Sequence, residues 1–159
     1  MTELDVIGIE RACERLVIAY THLVDGGEAA AVADLFAPDG VWSFGDERCE
    51  GREAIRSAFA RRQASDRTSR HVCTNLRVDV VDADHASGVV YVTLYRFDGP
   101  GPASPDPVMV GDYRDRFVRT ADGWRFDQRH ATAVFVRGRS PAGSTPVPVT
   151  TSGGSDADR

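Results

Sequence analysis

The hydrophobic period changes once along this chain, near residue 65, and the change restricts the fold more than any motif does. Before it, Ile9, Ala12, Cys13, Leu16, Val17, Tyr20, Leu23 and Val24 form the i, i+3, i+4, i+7 stripe of an amphipathic helix. That helix is expected to stop at Asp25-Gly26-Gly27, where glycine supplies positive-φ positions. Glu28 to Phe36 then reads as a short Ala-rich helix, Ala37-Pro38-Asp39-Gly40 as a turn, Val41 to Phe44 as a short strand and Gly51 to Arg62 as a third helix. After it, the period is two, and the runs 72–80, 89–97, 108–118 and 124–136 are rich in β-branched and aromatic residues. Four long strands follow, with antiparallel hairpin turns at Asp82-Ala83-Asp84 and Ala121-Asp122-Gly123. Helices followed by a meander make an α+β domain in which a strongly curved sheet wraps a helical layer.

The domain is expected to span residues 3–137. Asp98 to Pro107, ten residues with four prolines, is too long for a tight hairpin and reads as a loop over a pocket mouth. Residues 138–159, rich in Pro, Gly, Ser and Thr, read as a flexible tail. A chain of 159 residues buries about two-thirds of its unfolded surface, enough for one core with an internal pocket. A net charge of -5 argues against nucleic acid as a partner, which would call for a basic stripe. No apolar run approaches the ~18 residues of a membrane span, and the acidic start Met1-Thr2-Glu3-Leu4-Asp5 is unlike a signal peptide, so the expected location is the cytoplasm. Cys13, Cys49 and Cys73 are too scattered for a disulfide framework or zinc knuckle and read as buried thiols.

Tyr20 and Asp25 close the first helix, His71 opens the first long strand, and Arg129-His130 lie in the last. A carboxylate at a helix C-terminus faces the unfavourable end of the dipole, which is a reason to ask what else it does. Strict alternation puts His71, Cys73, Asn75 and Arg77 on one face of their strand, and a polar face enclosed by helices suits a pocket better than a dry core. A carboxylate can fix the tautomer of an imidazole, which then moves a proton near neutral pH. In the last strand, unbroken alternation from Trp124 and Phe126 would turn His130 inward, whereas a bulge would turn Arg129 inward instead. The histidines lack metal-ligand spacing, no glycine-rich phosphate motif occurs, and neither metal nor other cofactor is expected. Arg52, Arg56, Arg61, Arg62, Arg67 and Arg70 read as a solvated basic face that could also attract an anionic substrate.

Asp25, then Phe36-Ala-Pro-Asp-Gly-Val-Trp42, Gly51-Arg-Glu-Ala-Ile55, Arg70-His-Val-Cys-Thr-Asn-Leu-Arg77 and Asp122-Gly-Trp-Arg-Phe126 together resemble the SnoaL-like branch of the NTF2-like superfamily. Within it, 71–77 and 129–135 are similar to the hexachlorocyclohexane dehydrochlorinases, cofactor-free β-eliminases, and more distantly to scytalone and bile acid 7α-dehydratases. The resemblance implies a cone-shaped α+β barrel around an apolar pocket, a His-Asp dyad at its floor, and homodimers or homotrimers packed through the sheet. It assigns His71 as general base, Asp25 as its orienting carboxylate and Arg129 as the group near the leaving group. Tyr20 stands where the dehydrochlorinases have lysine, a departure that favours a dehydratase. Trp42, Phe44, Tyr91, Tyr95, His130 and Phe135 are the expected substrate-binding residues. The expected activity is a cofactor-independent lyase acting on a small, mostly apolar, cyclic or carbonyl-bearing molecule. An isomerase or polyketide-type cyclase with the same dyad, and a non-catalytic binding or assembly module, are the alternatives.

Overall fold

A computed structural model describes residues 1–99, 102 and 104–138. The expected tail, past Gly138, lies outside the described residues, as do three positions of the expected loop at 100, 101 and 103. Helix α1 runs Glu3–Asp25, a 3₁₀ helix Ala29–Leu35, and helix α2 Arg52–Gln63. The strands are β1 (Phe36–Phe44), β2 (Glu47–Glu50), β3 (Arg67–Val80), β4 (His85–Asp98), β5 (Met109–Thr120) and β6 (Gly123–Val136). They form one sheet ordered β2-β1-β6-β5-β4-β3. The fold is α+β, and among the described residues the sheet is curved open rather than closed into a barrel, with β2 and β3 at its edges.

Helix α1 starts at a capping box: Thr2 Oγ1 accepts from the Asp5 amide and the Asp5 carboxylate accepts from the Thr2 amide. It stops where the glycines demand it. The Gly26 N–H donates to His22 O, Gly27 takes φ 89°, and the Glu28 N–H reaches back to Leu23 O, satisfying carbonyls the last turn leaves open. The buried stripe Ile9, Cys13, Leu16, Val17, Tyr20 and Val24 packs on the sheet. Beneath it Phe126 stacks with Phe36 at 5.2 Å and with Phe117 at 5.3 Å between ring centroids.

The meander β3 to β6 pairs antiparallel throughout, but β1 joins β6 in parallel. The expected turn Ala37–Gly40 lies within β1 as an irregularity: the register passes from Phe36↔Phe126 to Val41↔Gln128, so four residues stand against Asp127 alone. Gly40 is needed there, since a Cβ would meet two carbonyl oxygens and the Phe36 Cβ at 3.0 Å. Three single-residue bulges change which side chains face inward. In β3, Asn75 and Leu76 oppose Val90 alone, with Asn75 at φ 53°. The inward set therefore switches from Ser69, His71 and Cys73 to Leu76, Val78 and Val80, and the unbroken polar face His71 to Arg77 does not form. In β6, Asp127 and Val134 are each inserted opposite none of the β5 residues.

The insertion at Asp127 turns Phe126 and Arg129 to the same side, and Arg129 then lies directly across from Asp115. Arg129 Nε and Nη2 donate to the two Asp115 oxygens at 2.8 and 2.7 Å, with both side chains fully buried. Burial alone would draw the guanidinium pKa down, but the facing carboxylate and its hydrogen bonds hold it above its usual value. Asp115→Ala is expected to cost about 3–5 kcal/mol, because it strands a buried charge. Adding Arg129→Met should recover most of that loss in urea unfolding. A single variant within about 0.5 kcal/mol of wild type would contradict a structural role for the pair.

Candidate functional site

Asp25 is the last residue of α1, so its side chain leaves the helix toward the first half of β3. There its carboxylate collects three donors. The His71 backbone N–H donates to Oδ2 at 2.7 Å, His71 Nδ1 lies 2.7 Å from Oδ1, and Ser69 Oγ donates to Oδ1 at 2.7 Å. Ser69 Oγ accepts in turn from Arg62 Nη2 at 2.9 Å, so Arg62 acts on Asp25 through one hydroxyl. Burial of Asp25 pushes its carboxyl pKa up, but the His71 hydrogen bond and charge, Ser69 and the His71 amide together hold it below the usual carboxylate value. An ionised carboxylate only accepts, so Nδ1 of His71 carries the proton in the neutral ring. Nε2 is then the basic nitrogen, without a protein partner among the described residues, and His71 lies on a cavity wall.

The cavity, about 350 Å³, opens between α1, α2 and the inner face of the sheet. That is at the small end of the ~300–1,000 Å³ of small-molecule sites. Val24, Ala58, Phe59, Leu94, Met109 and Ala131 supply apolar wall. Tyr20 supplies a polar point within it: its Oη accepts from Trp42 Nε1 at 3.0 Å, which leaves the phenolic proton to be donated elsewhere. Burial pushes the Tyr20 pKa up to about 12, against the pull of Arg129 and of the Trp42 hydrogen bond, so the proton stays on near neutral pH.

The structure brings Tyr20, Trp42, Phe44 and His71 to the cavity, with Asp25 directly behind His71. Five expected positions fall elsewhere. Arg129 does face inward, but it is walled off from the cavity; its guanidinium lies 4.3 Å from the ring centroids of Tyr20 and Tyr113 and 4.2 Å from that of Phe126. It touches the site only through those rings. His130 faces the other way and bonds Ser43 Oγ through Nδ1 at 2.9 Å, because the Asp127 bulge reversed the alternation. Tyr91 and Tyr95 lie on the outer face, since β4 turns Val90, Val92 and Leu94 inward. Phe135, paired with Val110 beyond the Val134 insertion, is 67% exposed there. None of the described residues 98–107 lines the cavity, so the expected loop over the mouth is not seen in them.

Sequence reasoning missed Ser69, Leu94, Arg96, Met109 and Tyr113 as wall residues, and read Arg62 and Arg67 as part of a solvated basic face that could attract an anion. The signal for two of them was present: Ser69 and Arg67 stand two and four residues before His71 and share its face of β3. Arg62 and Arg67 therefore belong to the cavity and not to a solvated helix face. Among the described residues no group of three or more His, Cys, Asp or Glu side chains is placed to hold a metal ion. No helix there is long and apolar enough to cross a membrane.

The model of the SnoaL-like domain matches residues 6–130. The chain belongs to that family. Among curated proteins none matches. Solved structures show the same fold. A presumed scytalone dehydratase from Novosphingobium aromaticivorans aligns with TM-score 0.74 at 24% identity, over 92% of this chain and 100% of that one. An NTF2-like protein with a cystatin-like fold from the same organism aligns with TM-score 0.72 at 24% identity, over 86% and 88%. LinA, a dehydrochlorinase, aligns with TM-score 0.71 at 22% identity, over 93% and 99%. The SnoaL-like family includes enzymes of this kind and many members of unknown function.

In this SnoaL-like domain the depressed Asp25 pKa has a consequence for stability. A carboxylate with a lowered folded-state pKa contributes stability above its unfolded value, about 3.9 for Asp, and loses it as pH falls through the folded value. The urea midpoint of the wild type is therefore expected to drop more between pH 5 and pH 2 than that of Asp25→Asn. Parallel curves for the two proteins would show that Asp25 gains nothing from its three donors.

Proposed function

We propose that residues 3–137 form a cofactor-independent lyase of the dehydratase type, acting on a small, mostly apolar, cyclic or carbonyl-bearing molecule. The observation that carries the reading is the hydrogen bond from His71 Nδ1 to Asp25, which leaves Nε2 as a base on the wall of a largely apolar cavity. His71 Nε2 would take a proton from carbon beside the substrate carbonyl; the electrons of the broken C–H bond move toward the carbonyl oxygen. Tyr20 donates its phenolic hydrogen bond to that oxygen as charge develops. The charge then returns to form the C=C bond while a β-hydroxyl departs with its electron pair, taking the proton from the His71 imidazolium to leave as water. Arg129 has no contact with substrate in this scheme; it supports Tyr20 from behind.

Positioned proton transfer contributes typically 10²–10⁴-fold, so His71→Ala should lose turnover of a β-hydroxy carbonyl substrate by about that factor while keeping its fold. Tyr20→Phe, which removes one oxyanion donor, should lose about 10²–10³-fold in kcat. Product analysis decides the reaction type: an alkene with released water supports the lyase, whereas a rearranged isomer or a ring-closed product would replace it by the isomerase or cyclase reading. Full turnover by His71→Ala would end the acid–base reading altogether.

We place self-association on the outer face of the sheet, where Tyr91 and Val134 are 50% and 56% exposed beside Phe135. Light scattering should show a homodimer or homotrimer that Tyr91→Asp with Phe135→Asp converts to monomer. A monomeric wild type would remove this reading.

A further inference from the structure

Besides its apolar wall and the dyad, the cavity contains three guanidinium groups that the proposed elimination does not use: Arg62 from the end of α2, Arg67 from the start of β3 and Arg96 from the end of β4. Their structural bonds leave donors over. Arg67 Nε bonds Asp98 Oδ1 at 2.7 Å, and Arg96 bonds the same carboxylate through Nε at 3.1 Å and Nη2 at 2.5 Å. Asp98 is thus shared by two arginines. Arg62 bonds only neutral oxygens, Ser69 Oγ at 2.9 Å and the Arg67 carbonyl at 3.1 Å, with no carboxylate within 4.0 Å among the described residues. Both Nη atoms of Arg67 and Nη1 of Arg96 have no acceptor among the described residues.

The acidic groups nearby are already engaged. Asp25 is filled by its three donors, and Glu47, on the wall from β2, is drawn to Arg61 at 3.8 Å. Burial and the positive charges of Arg67 and Arg96 lower the Arg62 pKa despite Asp25 and Asp98, so a positive charge there is poorly compensated by the protein. Guanidinium forks match planar oxyanions, and charge-assisted bonds to them are about twice as strong as neutral ones. In an acidic chain, a cluster of this kind on the wall of a small cavity focuses anions toward it.

Resting on the lyase reading, we infer that the substrate is an anionic amphiphile: an apolar ring body beside Tyr20 and His71, with a terminal oxyanion seated on Arg62, Arg67 and Arg96. The oxyanion is a carboxylate or a phosphate ester, the two sharing the same recognition chemistry. The arginines bind and orient; they touch the end of the molecule remote from the proton removed.

The test is calorimetric titration of the full chain with naphthalene carboxylate, its uncharged carboxamide and naphthyl phosphate, at low and high salt. The better anion should bind at least about tenfold tighter than the carboxamide at low salt, a difference of ~1.4 kcal/mol, and that margin should shrink at high salt. Tighter binding of the carboxylate names a carboxylic acid as the substrate class, and tighter binding of naphthyl phosphate names a phosphate ester. Arg96→Gln should erase most of the preference while leaving carboxamide affinity unchanged, and Arg62→Gln should also reduce the preference. Arg96→Gln is the safer variant, since Arg62 also supports Ser69. Equal binding of all three probes, no binding of either anion, or an undiminished preference in Arg96→Gln overturns the inference. His71→Asn separates it from the reading beneath it: the anion preference should persist in that variant whether or not turnover survives.

Discussion

A charged pair that sees no water organises the interior of this domain. Arg129 and Asp115 stand directly opposite on β6 and β5, fully buried and doubly hydrogen-bonded, and three aromatic rings close over the guanidinium. Two such charges are costly to desolvate, so they are tolerated only in a geometry that satisfies both. That geometry requires Arg129 to face inward, which in turn requires the extra residue at Asp127. The pair thereby holds the register of the two central strands and fixes the rings beneath the cavity. Tyr20 and Tyr113, the two tyrosines on the cavity wall, are the same rings that cover it. One unsatisfied atom remains, Arg129 Nη1, consistent with a guanidinium packed face-on against rings.

The second organising point is the end of α1. A carboxylate there is disfavoured by the helix dipole, and three hydrogen bonds from β3 offset that disadvantage. The same bonds lock the helix end to the strand and assign the proton on the His71 ring. Stability and the proposed proton transfer therefore draw on one carboxylate. The glycines end the helix at Asp25, where its carboxylate meets Ser69 and His71.

The cavity has two unlike ends. One is formed by the dyad, Tyr20 with its Trp42 partner, and hydrocarbon; the other is formed by guanidinium groups around Asp98. Arg62 connects them through Ser69, so the group that supports the carboxylate of the dyad also borders the charged end. A site with these two ends suits a ligand that is itself two-ended.

The sequence by itself determined the class of fold, through the change from helical to strand period, and marked Asp25 and His71 as separate candidates that the family resemblance joined into a dyad. Asp25 could be read because Gly26 and Gly27 place it at a helix end, and His71 because it stands just before the apolar run 72–80, although β3 itself begins four residues earlier at Arg67. Both signals are local, and local propensity decides them. Which face each strand turns inward was decided by tertiary structure. One inserted residue at Asn75, Asp127 or Val134 changes little in local preference, yet it reverses every side chain that follows. That is why His130 and Phe135 lie outside the cavity and Arg129 is buried behind it, whereas Tyr91 and Tyr95 lie outside because β4 alternates without a break and turns Val90, Val92 and Leu94 inward. The arginines were hidden for a related reason: a basic helix face looks the same in sequence whether it meets water or the mouth of a pocket. Only the packing of α2 against the 3₁₀ helix, β1 and β2, with Ile55 and Phe59 buried, brought Arg62 to the cavity wall.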